Sequence, residues 1–281
     1  MILRSLLQVI CLGAVLFPMV ARANDSSALL EAGGIVLTTS SDVTMESEDL
    51  TIGRTRVRVS YVFRNAGTKE VRTRVAFPVP PIPVCAETDM GECDGDIQIS
   101  KGPNPMGFKL WVDGKLTPFE TEEKTTMGER GVGAKQITHH WEQVFPPQRA
   151  VAIVHEYTPV AGGFFTSPAD EFKREMAEKY CVGPKLQAAL TTPQQFIWAV
   201  HYILKTGANW KGPIGKFKLT IVKESPRDKV SVCLPDTRRV SPTAFEVTRS
   251  NFVPDNDLKI LFVPAVEPAN KALQRPGPTR R

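Results

Sequence analysis

RTRVRVSYVFRNAGTKEVRTRVAFP, residues 54–78, alternates apolar and polar side chains through two runs separated by a turn. In the first run Val57, Val59, Tyr61 and Phe63 share one face and Arg56, Arg58, Ser60 and Arg64 the other, the period of a half-buried strand. Asn65-Ala66-Gly67 supplies turn residues. Val71, Thr73, Val75 and Phe77 then alternate against Arg72 and Arg74, which predicts an antiparallel partner. Pro78, Pro80, Pro81 and Pro83 end it, since proline cannot donate to a ladder. The arginines of this segment read as the solvated face of a hairpin.

Working outward, Phe108, Leu110 and Val112 lead into Asp113-Gly114, a two-residue hairpin signal, with Lys115 to Glu120 as the return strand. Residues 124–135 hold glycines without the order of a phosphate cradle and read as a loop. Ile137 to Phe145 and Ala150 to Thr158 form a second predicted hairpin around Pro146-Pro147-Gln148-Arg149. Ser167-Pro168-Ala169-Asp170-Glu171 starts a helix running to about Tyr180, with a capping hydroxyl, an early proline and acids against the dipole. Strand-like runs follow at Phe196 to Leu204, Phe217 to Lys223, Lys229 to Leu234, Thr243 to Arg249 and Leu258 to Val263. The expected class is all-β and mainly antiparallel. Two β-sandwich-like units, residues 24–160 and 161–265, would carry one inserted α-helix near 168–180, and a disordered tail would cover 266–281. A single larger sandwich with a helical insertion is the alternative.

The chain has 281 residues, 42% of them hydrophobic, which excludes wholesale disorder; its 20 glycines and 23 prolines favour turn-rich β structure. Arg4, the apolar run from Leu6 to Val20 and Ala21-Arg22-Ala23 make a secretory signal over residues 1–23, cleaved before Asn24. That run is too short, and broken by Pro18, to anchor in a membrane, so the expected location is periplasmic or secreted, with no transmembrane segment after signal removal. Cleavage takes away Arg4 and Arg22 from a net charge of +5, and four more basic residues lie in the tail. The folded part is near neutral, which speaks against a nucleic-acid partner.

Cys85, Cys93, Cys181 and Cys233 remain after cleavage, an even count that reads as disulfides in an oxidising compartment. Three pairings are possible. Cys85 and Cys93 flank a short loop whose closure is easy, and Cys181 would then meet Cys233. No close C-x-x-C pair seeds a zinc site.

Met45-Glu46-Ser47-Glu48-Asp49-Leu50, Tyr61-Val62-Phe63-Arg64-Asn65, Ala76-Phe77-Pro78 and above all the run from Tyr202 to Ile214, with its Gly212-Pro213-Ile214 core, resemble the bacterial exported family called domain of unknown function 4424. The resemblance spans roughly residues 24 to 265. It implies an exported bacterial protein, supports a Cys181 to Cys233 bridge and brings no established activity or cofactor.

Two patterns carry candidate chemistry. Asn209, Trp210, Gly212, Pro213 and Ile214 form a corner between strands, either an exposed recognition loop anchored by Trp210 or a turn with Trp210 packed beneath it. In a symmetric hairpin about Pro146 to Arg149, His140 would oppose His155, with Glu142 on the same face. Those three could ligate zinc or iron or supply a general base for a metal-dependent hydrolase, against the plainer reading of histidines at the edge of a core. Glycan binding through Trp111, Trp141 or Trp210 is a further alternative. Glu87, Asp89, Glu92, Asp94 and Asp96 match a calcium loop only loosely. No G-x-S-x-G elbow is present. The expected function is a non-catalytic binding or assembly module of the cell envelope, its partner or ligand unidentified and no cofactor required.

Overall fold

The computed structural model describes residues 32–33, 36–37, 42–78, 82–83, 102–127, 133–159, 161–190, 195–204 and 210–265. Residues 1–23, the tail 266–281, Cys85, Cys93, the carboxylates of 87–96 and Asn209 lie outside them. In chain order the strands are β1 (Ala32–Gly33), β2 (Val36–Leu37), β3 (Val43–Ile52), β4 (Val57–Asn65), β5 (Val71–Pro78), β6 (Ile82–Pro83), β7 (Lys109–Val112), β8 (Lys115–Leu116), β9 (Glu120–Met127), β10 (Gly133–Phe145), β11 (Ala150–Tyr157) and β12 (Ala161–Phe165). Helices α1 (Asp170–Tyr180) and α2 (Pro184–Ala189) follow, then β13 (Phe196–Ile203), β14 (Ile214–Val222), β15 (Lys229–Val232), β16 (Arg238–Arg239), β17 (Ala244–Phe252) and β18 (Leu258–Val263). The class is mainly antiparallel β, as the alternation predicts. The helix begins at Asp170, with Ala169 as its N-cap and no side-chain cap, and α2 was not expected.

Among the described residues the strands form three sheets. The largest has the order β16-β17-β14-β3-β4-β11-β7-β8; a second runs β2-β5-β10-β6 with β9 on β10, and a third β1-β13-β18-β15 with β12 on β13. Strands from both sides of residue 160 meet in the large sheet, where β14 runs parallel to β3 through six residue pairs. One face of the large sheet is covered by both smaller sheets: Phe63 on β4 meets Phe145 on β10 edge-on at 5.8 Å, and Tyr61 on β4 hydrogen-bonds Tyr202 on β13. A single apolar cluster runs through this interior. The far face of the third sheet packs Ile197, Ala199, Leu261 and Val263 against Met176 and Tyr180 of α1.

Both long hairpins expected from sequence are corrected. β4 pairs with β3 and β11, not with β5; β10 pairs with β5, β6 and β9, not with β11. Each connection crosses from one sheet to the other, so β4–β5 and β10–β11 are two arches stacked side by side. Asn65 ties them. It is fully buried, its Nδ2 donates to the carbonyls of Lys69 (2.8 Å) and Phe145 (2.9 Å), and its Oδ1 accepts from the Gly67 amide (2.8 Å). The Asp113-Gly114 signal does give a hairpin: β7 pairs with β8, and Asp113 and Gly114 take the positive φ values, 48° and 77°, that a primed turn needs.

Cys181 and Cys233 are bonded, with Cα atoms 5.1 Å apart across 52 residues. Closing a loop of that length is worth about 4 kcal/mol in the chain-entropy account. The bridge holds the end of α1 to Cys233 just after β15, and within β15 the Ser231 hydroxyl donates to the Tyr180 carbonyl at 2.8 Å.

Candidate functional site

The corner from Trp210 to Ile214 is built inward. Trp210 is 5% exposed, its ring 4.1 Å from Phe63 and edge-on to Phe145 at 6.1 Å. The Lys211 amide donates to the Val43 carbonyl at 3.0 Å, Gly212 takes a φ of 79°, and Ile214 is wholly buried at the start of β14. Gly212 and Pro213 form the exposed rim. Trp210 therefore packs beneath the turn.

The arches separate the histidine set. His140 pairs with Ala76 and Glu120, on the outer face of β10, and its Nε2 lies 3.6 Å from Glu122 and 3.9 Å from Glu120. Glu142 points the same way, 3.6 Å from Arg74. His155 faces the interior opposite Val59, with Phe108 at 5.0 Å, Trp141 at 5.4 Å and Tyr61 at 5.6 Å. The convergence expected of His140, Glu142 and His155 fails because β10 and β11 lie in different sheets. Among the described residues no group of three His, Cys, Asp or Glu is placed to hold a metal. Burial holds His155 and His139 neutral, pushed down to about 3 and about 4. Both ring nitrogens of His155 lack hydrogen-bond partners among the described residues. Trp141, like Trp210, is buried, whereas Trp111 is half-buried with the Arg58 guanidinium 5.6 Å from its ring centre.

Sequence reasoning missed two features. The first is a polar chain inside the sandwich. A bulge in β3 between Met45 and Ser47 switches the strand's parity, so that Met45 and Glu48 both face inward. The bulge is possible because Gly215 of β14 leaves room: a Cβ there would sit 2.6 Å from the Glu46 carbonyl oxygen. Glu48, 3% exposed, accepts a hydrogen bond from the Tyr202 hydroxyl at 3.0 Å, and the Tyr202 and Tyr61 hydroxyls are 2.6 Å apart. Desolvation raises Glu48 to about 8, the Tyr202 bond opposing this only in part. Counting by twos from the buried Ile52 and Leu50 reaches Glu48, which is the signal that could have found it.

The second is a small, shallow recess of about 30 Å³ lined by Arg54, Thr55, Thr158, Pro159, Ala161 and Trp198. Its walls come from the turn after β3, the link between β11 and β12, and the middle of β13. The Arg54 guanidinium lies 5.0 Å above the Trp198 ring centre and pairs with Glu224. Phe196 stands edge-on to Trp198 at 4.7 Å, and its own ring lies where a Cβ on Gly163 would be, 2.2 Å from that position. A guanidinium, two threonines and an indole can together hold a small polar molecule by charge, hydrogen bond and ring contact.

Fold and site define a mainly antiparallel, multi-sheet β protein with a small surface recess. The chain belongs to the family described as domain of unknown function (DUF4424), whose profile matches residues 23–136 and 134–261. No curated protein matches it. Among solved structures, that of a "putative nutrient binding protein" from Legionella pneumophila subsp. pneumophila is similar with a TM-score of 0.51, covering 83% of this chain and 70% of that one at 18% identity. At that identity the likeness is one of fold.

Proposed function

We propose that the chain is an exported, non-catalytic binding protein of the cell envelope that takes a small polar solute in the recess between Arg54 and Trp198. The observation that carries this reading is the recess itself, where the cationic side chain and the ring come from different sheets and converge on one opening. The leader pattern of residues 1–23 and the Cys181–Cys233 bridge fit an oxidising compartment outside the cytoplasm. The fold it shares with a protein described as nutrient-binding fits as well. No helix among the described residues is long and apolar enough to cross a membrane.

Thermal unfolding of the chain beginning at Asn24, against a panel of amino acids, organic acids, sugars and phosphate, tests it. A ligand at 100 times its Kd adds about 2.7 kcal/mol to the folded state. At least one solute should raise the wild-type Tm and leave Trp198→Ala and Arg54→Ala unmoved. Equal shifts in all three proteins would place binding elsewhere, and no shift with any solute class would remove the small-solute reading.

A further inference from the structure

The chain Tyr61–Tyr202–Glu48 bridges two sheets: Glu48 and Tyr61 belong to the large sheet and Tyr202 to the third, and none is more than 3% exposed. The groups acting on the Glu48 carboxyl or on its two tyrosines are Tyr61 from β4, Tyr157 from β11 and Tyr202 from β13, with His155 edge-on to Tyr61. No Lys, Arg or protonated His is among them. Elsewhere on the floor the facing residues are apolar: Leu50, Ile52, Val57, Val59 and Phe217. Buried carboxylates are tolerated when a cation pairs with them; this one has a single phenol donor and is therefore stable in the folded protein only with its proton. The cluster is closed to solvent, which suits it to holding sheets together and not to receiving a ligand.

We propose that this seam is a proton-controlled latch: uncharged Glu48 lets the β13 sheet close on the β3–β4–β11 floor, and its ionisation loosens that closure in alkaline surroundings. The inference is independent of the recess and of any ligand. A carboxyl raised in the folded state contributes fully below its unfolded value, near 4.5, and loses its contribution as pH climbs to about 8. Buried neutral His139, His155 and His201, lowered to about 4, 3 and 4, act oppositely and cost stability as pH falls below their unfolded value near 6.5. The unfolded chain's histidines are still half protonated at pH 6.5 and fall silent only above about pH 7.5, so the wild-type stability should peak near pH 7, and the comparison of wild type with Glu48→Gln isolates the carboxyl.

Urea unfolding of the full mature chain between pH 5 and 9 tests the latch. The ratio of the wild-type to the Glu48→Gln unfolding constant should rise by roughly tenfold per pH unit from about pH 5 to 8 and level off above. Glu48→Gln alone should gain stability as pH climbs to about 7.5, where the histidines finish titrating, and stay flat above. Tyr202→Phe removes the one bond favouring the charged carboxyl and should carry the falling limb to higher pH, a displacement that a merely structural role would not produce. Parallel profiles for wild type and Glu48→Gln would overturn the proposal. Should the variants not fold, carboxyl NMR of the wild type labelled at glutamate decides: one resonance titrating near pH 8 supports the latch, and titration of every glutamate below pH 6 overturns it.

Discussion

His155 shows how little a residue type fixes its chemistry. It lies at 0% exposure among Phe77, Phe108, Trp141 and Tyr61, its ring nitrogens unpaired among the described residues, and its proton affinity falls to about 3. In the folded protein it stays neutral while the unfolded chain takes up a proton below about pH 6.5, so stability falls with acid at about 1.4 kcal/mol per pH unit for this group. His155→Leu should be as stable as wild type at pH 7 and lose one proton's worth of slope between pH 4 and 6, read from Tm against pH; an unchanged slope would contradict the burial argument. Trp210 sits under its turn against Phe63, and Trp210→Ala should cost about 3–5 kcal/mol, measured by urea unfolding. Both burials were readable as the plainer alternatives in the sequence. Glu48 is in step with the buried Leu50 and Ile52, but the bulge between Met45 and Ser47, which depends on Gly215 of another strand, breaks the alternation that would have marked β3 as a strand.

At the scale of elements, β4, β5, β7, β11, β13, β14, β15, β17, β18 and most of β10 were legible from period-two alternation, whereas β3 and β12 were not and the end of β9 and start of β10 fell in a stretch read as a loop; the partners were not legible either. Alternation fixes which face of a strand is buried and says nothing about which neighbour fills its hydrogen bonds. The Asp113-Gly114 turn specified its own pairing because two residues at positive φ leave the chain one way to return. Ala66 to Glu70 and Pro146 to Arg149 are long enough to cross the sandwich, and they do, exchanging partners so that β4 lies on β11 and β5 on β10. That exchange removed His140 and Glu142 from His155, and so removed the predicted metal set. Asn65 holds both arches, and Asn65→Ala would strand two buried carbonyls and an amide. The expected loss is about 3 kcal/mol or more, checked by denaturant unfolding; a loss under 1 kcal/mol would mean that the arches hold without it.

The whole molecule is joined across residue 160 by the parallel β3–β14 ladder and by one apolar cluster shared among all three sheets. Residues 24–160 and 161–265 should therefore unfold together, in a single calorimetric transition whose van't Hoff and measured enthalpies agree; two resolved transitions would show the halves to be separate domains. The recess depends on this union, since Arg54 comes from one side of residue 160 and Trp198 from the other. The strand-like runs that carry Thr158 and Trp198 were read from alternation, but the meeting of these residues required the sheet order, which no local pattern encodes. The most direct test of the binding reading is native mass spectrometry of the protein purified gently from the cells that make it, wild type beside Trp198→Ala. The account predicts a small molecule of constant mass retained by the wild type and lost from the variant. The same occupant held equally by both, or a wild type that carries none and takes up none of the solute panel, would contradict it.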